Sequence, residues 1–294
     1  MWQKQWLGLA LAVGLGGVLV LRLSSKPVAA PVPQPVASLQ FQVFEQPTAT
    51  IYALTIPAHA AFVVRPFLAN SVATVAEVAS QTQAIAVINA GFFDPANQKT
   101  TSPVTLNGQL VADPRANARL MQNPQLTSYL DAILNRSELR IYQCQGQVKY
   151  AITRHAAPLA QGCTLVHAVG GGPQLLPVDT SQSEAFTDYA QGSLVRDALG
   201  SVQPNSRTAV GIKADGALVW VMAAQKSTTT ETSGLTLAAL TQFLRSIGIQ
   251  SALNLDGGSS SSLFYRTQTY YGHRDQAGAP VMRSVKSFLV LQPQ

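Results

Sequence analysis

Charge is scarce in this chain. Only 12% of its 294 residues are Asp, Glu, Lys or Arg, about half the share of an average soluble protein. The balance is positive, at +6. Lys4, Arg22 and Lys26 lie ahead of the expected domain, and removing those three leaves +3. No run of Lys and Arg with interleaved aromatics follows, so a nucleic-acid partner is not expected. Histidine is also scarce. His59, His155, His167 and His273 stand singly, offer no Ser-His-Asp arrangement, and read as structural or exposed. The G-x-S-x-G elbow is absent, as are a P-loop and a G-x-G-x-x-G between strand and helix. No Cys–His cluster has zinc-ligand spacing.

What is present begins with export. Lys4 precedes an uncharged apolar run, residues 6–21, and Val28-Ala29-Ala30 suits a signal peptidase. The run approaches the ~17 residues of a short membrane span, and Pro31 follows the candidate cut. An uncleaved anchor, associating with the membrane through residues 6–21, is therefore the competing expectation. Either way the rest lies outside the cytoplasm, periplasmic or extracellular. Residues 1–26 are the signal or anchor, 27–37 a proline-rich linker, and 38–294 one domain. An apolar content of 47% is ample for its core. In an exported chain the two cysteines, Cys144 and Cys163, are expected to pair; two buried free thiols are the alternative.

Residues 41–56 read as two strands. Val72, Val75, Ala76 and Ala79 give residues 71–81 a helical period. Residues 84–89 are a short buried strand. Asn107-Gly108, Gln145-Gly146 and Asp215-Gly216 each separate apolar runs and mark hairpins. Thr236 caps a helix whose apolar face is Leu237, Leu240 and Leu244, and Gly248 ends it. Residues 251–255 and 287–291 are further strands. The expected class is α+β, a mixed, largely antiparallel sheet flanked by helices.

Four loops place glycine beside polar groups at strand ends: INAGFFD (88–94), AVGGGP (168–173), SRTAVG (206–211) and NLDGGSSSS (254–262). Glycine brings backbone N–H groups close to a ligand, and hydroxyls and amides add neutral hydrogen bonds, an inventory suited to a sugar or a phosphate. Asp256, ending an apolar strand, is a nucleophile, base or metal ligand, or an Asp capping its own Gly-Gly turn. Arg207 is a phosphate fork or half of a structural ion pair. Asn89 bonds a substrate hydroxyl or holds its own turn. The triple glycine, 170–172, is an anion nest or a plain turn.

INAGFFD, VGGGP, RTAVGIKADGALVWV, SGLTLAALTQFLRSIGIQSALNLDGGSSSSL and RSVKSFLV, in this order, resemble the phosphodiester glycosidase family. They cover most of residues 85–291, and the long block from Arg207 to the serine run is specific. The resemblance implies hydrolysis of a glycosyl-1-phosphodiester and a sugar-phosphate or glycan substrate; no cofactor is predicted, with a divalent cation at Asp256 left as the alternative. It implies Asp256, Arg207 and Asn89 as catalytic residues, and Gly171, Gly172, Gly257, Gly258, Ser259, Ser260 and Arg283 as substrate-binding ones. In the expected mechanism Arg207 and glycine N–H groups hold the phosphate. Asp256 acts on the anomeric carbon as nucleophile or base, and Asn89 and Ser259 orient hydroxyls. A divalent cation near Asp256 would find few local carboxylates. The sequence departs from the family at Ala238-Ala239, where an acidic residue is common, and between Tyr270 and Arg283. The competing readings are a non-catalytic carbohydrate-binding or polysaccharide-assembly module, and an envelope protein whose glycine loops are only turns.

Overall fold

Tight turns start the hairpins. Asn107 and Gly108 (φ 50° and 75°), and Gln145 and Gly146 (φ 50° and 81°), both put two consecutive residues in the left-handed region. That is the backbone a two-residue hairpin needs. At Asp215-Gly216 only Gly216 is left-handed (φ 81°), and the Asp215 carboxylate accepts from the Ala217 N–H. These details come from a computed structural model that describes residues 1–2, 38–58, 60–226 and 233–294. The expected signal or anchor, the linker, His59 and the Thr-rich stretch after Lys226 lie outside the described residues.

Three antiparallel sheets share one core. The first has six strands in the order Gln40–Glu45, Ala49–Ile56, Leu218–Gln225, Arg207–Lys213, Ile249–Asn254 and Gln174–Leu176. The second runs Gln147–Arg154, Ser137–Cys144, Cys163–Gly170, Val104–Leu106 and Gln109–Ala112. The third runs Gln268–Tyr271, Ser262–Tyr265, Ala86–Asn89, Val285–Pro293 and Phe62–Ala73. Leu54 and Trp220 from the first, Leu139 and Val169 from the second, and Ile88 and Leu289 from the third meet in one buried cluster. Each outer layer is a helix. Leu237–Ser246 buries Leu237, Leu240, Phe243 and Leu244 against the first sheet. Val75–Thr82 buries Val75, Val78 and Ala79 against the third.

The expected mixed sheet is corrected, because every pairing between described strands of the three sheets is antiparallel. Strand–helix–strand units normally make parallel neighbours. Here another strand intrudes each time. Phe62–Ala73 and Ala86–Asn89, joined through the helix Val75–Thr82, both pair with the C-terminal strand Val285–Pro293 lying between them. Leu218–Gln225 and Ile249–Asn254, joined through Leu237–Ser246, likewise flank Arg207–Lys213.

The helix expected over 71–81 begins later, at Val75. Residues up to Ala73 extend a twelve-residue strand. Thr74 then caps the helix, its hydroxyl accepting from the Glu77 N–H while the Glu77 carboxylate accepts from the Thr74 N–H. This capping box fixes the start. Thr236 caps the second helix as expected, accepting from Ala239. Cys144 and Cys163 are register partners on neighbouring strands and form a disulfide.

Candidate active site

Four strand ends converge on Asp256. The strand Ile249–Asn254 buries Ala252 and Leu253, Leu255 just beyond it is buried as well, and Asp256 follows. Its N–H donates to the Ala90 carbonyl at 2.8 Å. Asn89 Nδ2 donates to the Asp256 carbonyl at 2.6 Å. Leu255 N–H donates to Thr208, and Gly258 N–H to Ser206, both at 2.8 Å. Two sheets thus hold the backbone on both sides of the carboxylate. The 3₁₀ turn Gly258–Ser260 follows, with Gly258 at φ 57°.

A cleft of about 180 Å³ opens there, lined by Leu199, Asn205, Arg207, Asn254, Asp256 and the Gly257-Gly258 pair, among others. At ~30 Å³ per water, that is room for roughly six waters. Asp256 is the one carboxylate on this lining. The residue is partly open to the cleft, yet protein packs densely around the carboxyl, and that desolvation raises its pKa to about 6. Ser260, Arg283 and the Gly257 N–H pull the other way. Arg283 donates from Nη1 to the Ser259 hydroxyl at 2.9 Å, and its guanidinium lies 5.7 Å from the Phe93 ring centroid. The segment that departs from the family pattern therefore delivers a half-buried cation to the Asp256 loop.

Arg207 lines the cleft but serves its wall. It is 3% exposed. Nε donates to the Leu235 carbonyl, Nη1 to Leu199, and Nη2 to Gly200 and Gln203, at 2.6 to 3.0 Å. Burial lowers its pKa to about 10, opposed by Asp197, so it stays charged at neutral pH. Four of its five N–H groups are spent on carbonyls, three of them in the 199–203 loop that forms the cleft's other lip. This corrects the expectation of a phosphate-facing fork. Asp197 secures the same loop, accepting from the N–H groups of Leu199 and Ser201.

Asn89 is also internal. Besides its bond to Asp256, its Oδ1 accepts from the Thr208 hydroxyl (2.9 Å) and the Ser262 N–H (3.0 Å). The side chain is 1% exposed and positions the Asp256 loop; it offers a substrate hydroxyl nothing. The triple glycine is no anion nest. Gly170, Gly171 and Gly172 donate their N–H groups to Pro103, Ser137 and Asn254. A Cβ on Gly170 would stand 2.4 Å from the Pro103 ring, and one on Gly171 2.7 Å from the Asn254 carbonyl. Glycine is needed there because the chain squeezes between two sheets as it passes from one to the other.

Two cleft residues were missed in the sequence. Asn254 donates from Nδ2 to the Gly172 carbonyl at 2.9 Å, while its buried Oδ1 has no partner among the described residues. Asn205 lies within 3.6 Å of the space a Cβ on Gly258 would occupy. The strand end preceding Asp256 could have pointed to Asn254, since alternation puts residues 254 and 256 on one face. No periodicity marks Asn205.

A family model described as phosphodiester glycosidase matches residues 82–292. Among curated proteins none matches the chain. Solved structures that share its fold include the following three. The catalytic domain of zebrafish N-acetylglucosamine-1-phosphodiester α-N-acetylglucosaminidase, auto-inhibited by its pro-peptide, superposes with TM-score 0.66 at 16% identity, covering 89% of this chain and 85% of that one. An exported protein from Burkholderia pseudomallei K96243 gives 0.57 at 14%, covering 83% and 74%. A hypothetical protein from Synechocystis gives 0.56 at 18%, covering 87% of this chain but only 61% of its own length.

Proposed function

The chain belongs to the phosphodiester glycosidase family, and from that premise we propose that it hydrolyses a glycosyl-1-phosphodiester outside the cytoplasm, releasing the sugar. The observation that carries this reading is one desolvated carboxylate on the cleft lining, Asp256, with the Arg283 cation held at Ser259 on the same loop, near enough to lower the Asp256 pKa. Breaking the bond between the anomeric carbon and phosphate oxygen releases a phosphomonoester. That leaving group carries its electron pair without strong help from an acid, so a lining with a single carboxylate suits this substrate better than an alkyl glycoside. Asp256 attacks the anomeric carbon or activates the water that does. Arg283 faces the phosphate, where its charge gains strength as the leaving oxygen becomes more negative. Asn254, buried behind the cleft, ties its floor to the Gly172 carbonyl. Arg207 and Asn89 act at one remove, as positioning residues for the two lips. Export is supported by the disulfide, by the targeting composition of residues 1–30, and by the similarity in fold to an exported protein.

The test is a panel of sugar-1-phosphodiesters given to wild type, Asp256→Asn and Arg283→Ala. Free sugar and phosphomonoester should appear in equal amounts with wild type. Asp256→Asn should lose 100-fold or more in kcat, and Arg283→Ala should lose most for the least acidic leaving phosphate, which depends most on charge stabilisation. A folded protein that binds these compounds and turns none over would replace the hydrolase with a carbohydrate-binding module.

A further inference from the structure

A second concave site lies outside the cleft. It is a cavity of about 330 Å³ whose lining includes Tyr52, Tyr271, Glu45, Lys226, Gln225 and Arg274. Both tyrosines are half-buried. Tyr52 is held from behind by Tyr270, ring centroids 4.4 Å apart, and Phe41 stacks next to it at 6.2 Å. The polar groups are also fixed before any ligand arrives. Glu45 Oε2 pairs with Lys226 Nζ at 2.9 Å and accepts from the Thr50 hydroxyl at 3.0 Å. Arg274 donates its N–H to Gln225 Oε1 at 3.0 Å and its Nη1 to the Gly278 carbonyl at 2.7 Å.

We infer that this cavity is a saccharide-binding site, holding a hexose unit of a glycan beside the reaction cleft. A pyranose has C–H-rich faces and a rim of hydroxyls. The faces match a rigid tyrosine ring, which presents an apolar body with little conformational entropy to lose. The rim matches a carboxylate, an ammonium, an amide and a guanidinium set close together. Glu45 and Lys226 neutralise each other, and the remaining cation, Arg274, is already donating to the Gln225 and Gly278 carbonyls, which suits a neutral sugar better than a bare phosphate.

The cavity adjoins the Asp256 loop. Gly272 donates to the Ser261 carbonyl and accepts from the Gln225 N–H, both at 2.8 Å. A Cβ on Gly272 would stand 2.6 Å from the Ser261 side chain and 3.0 Å from that of Ser206. The chain carrying Tyr271 and Arg274 therefore rests directly on Ser261, which follows Asp256, and on Ser206. A glycan held here is anchored on the segment that supports the Asp256 loop. The site does not depend on the hydrolytic reading, since it binds sugar whether or not the cleft turns it over.

Saturation-transfer NMR on the full chain tests this with four probes: the methyl glycosides of glucose, galactose, mannose and N-acetylglucosamine. At least one should bind, and Lys226→Ala or Tyr271→Ala should weaken it tenfold or more. Asp256→Asn and Arg283→Ala should leave that binding unchanged. Glu45→Gln, at an exposed carboxylate, keeps the test sound if a tyrosine variant folds poorly, and it should weaken binding as well. Absence of binding by all four probes overturns the proposal. So does binding lost in Asp256→Asn but kept in the cavity variants, which would put the sugar in the cleft.

Discussion

Asp256 is ionised at neutral pH against its surroundings. Desolvation holds its pKa near 6 rather than its ordinary 3.8. A carboxyl whose pKa is raised on folding stabilises the fold below its unfolded pKa, and that contribution is lost as pH rises through the folded value. Wild type and Asp256→Asn should therefore be about equally stable near pH 4. The variant should become the more stable by about 1–3 kcal/mol above pH 7, measured by urea unfolding across that range. Turnover by wild type should rise with pH through about 6, because nucleophile and base both need the carboxylate. A flat pH profile, with unchanged activity in the variant, would move the chemistry elsewhere. Arg207 invites a different test. Lysine keeps the charge but loses the fork that holds Leu199, Gly200, Gln203 and Leu235. Arg207→Lys should lower stability by about 1–3 kcal/mol and expose the 198–206 loop to protease, with kcat falling through lost geometry. Unchanged stability with a KM rise for phosphate alone would restore the direct role.

Among the elements, the triple-glycine crossing gives the clearest contrast between a local and a spatial reading. As an anion nest, Gly171→Ala would weaken substrate and leave the fold alone. In the crossing observed, its Cβ meets the Asn254 carbonyl backbone and the side chains of Leu253 and Leu255. The expected result is a loss of about 1–3 kcal/mol in chemical denaturation. Hairpins and helix caps were readable because their causes are local. Asn-Gly φ angles and the Thr236 hydroxyl each act within a few residues. The strand Phe62–Ala73 was not readable, for it is stabilised by the chain's last strand, more than two hundred residues away. The helical period of residues 71–81 then drew the boundary too early.

At the scale of the whole molecule, three sheets depend on one core, and Trp220 lies fully buried within it. Its indole N–H has no partner among the described residues. Trp220→Phe removes that unpaired donor along with some volume, so the two effects partly offset and the cost should stay below about 2 kcal/mol. Trp220→Ala should cost about 3–5 kcal/mol. Thermal unfolding of the two variants checks both, and equal losses would mean that the indole N–H is not a liability.

By itself the sequence determined the local chemistry: which turns are tight, where the helices are capped, that two cysteines suffice for one bridge, and that Asp256 stands at the end of a buried strand. It also carried the family, because the motif block is contiguous and its order is a property of the chain. Tertiary structure alone decided which donors remain free. Arg207, Asn89 and the triple glycine all look available in one dimension; Asn89 and the glycines are engaged by groups distant in sequence, and Arg207 by carbonyls of the folded-back 199–203 loop and of Leu235. Arg283, just past the stretch that departs from the family pattern, is brought to Ser259 across 24 positions. Hydrogen-bond capacity is finite, and which partner consumes it is settled only when strands from both ends of the chain meet.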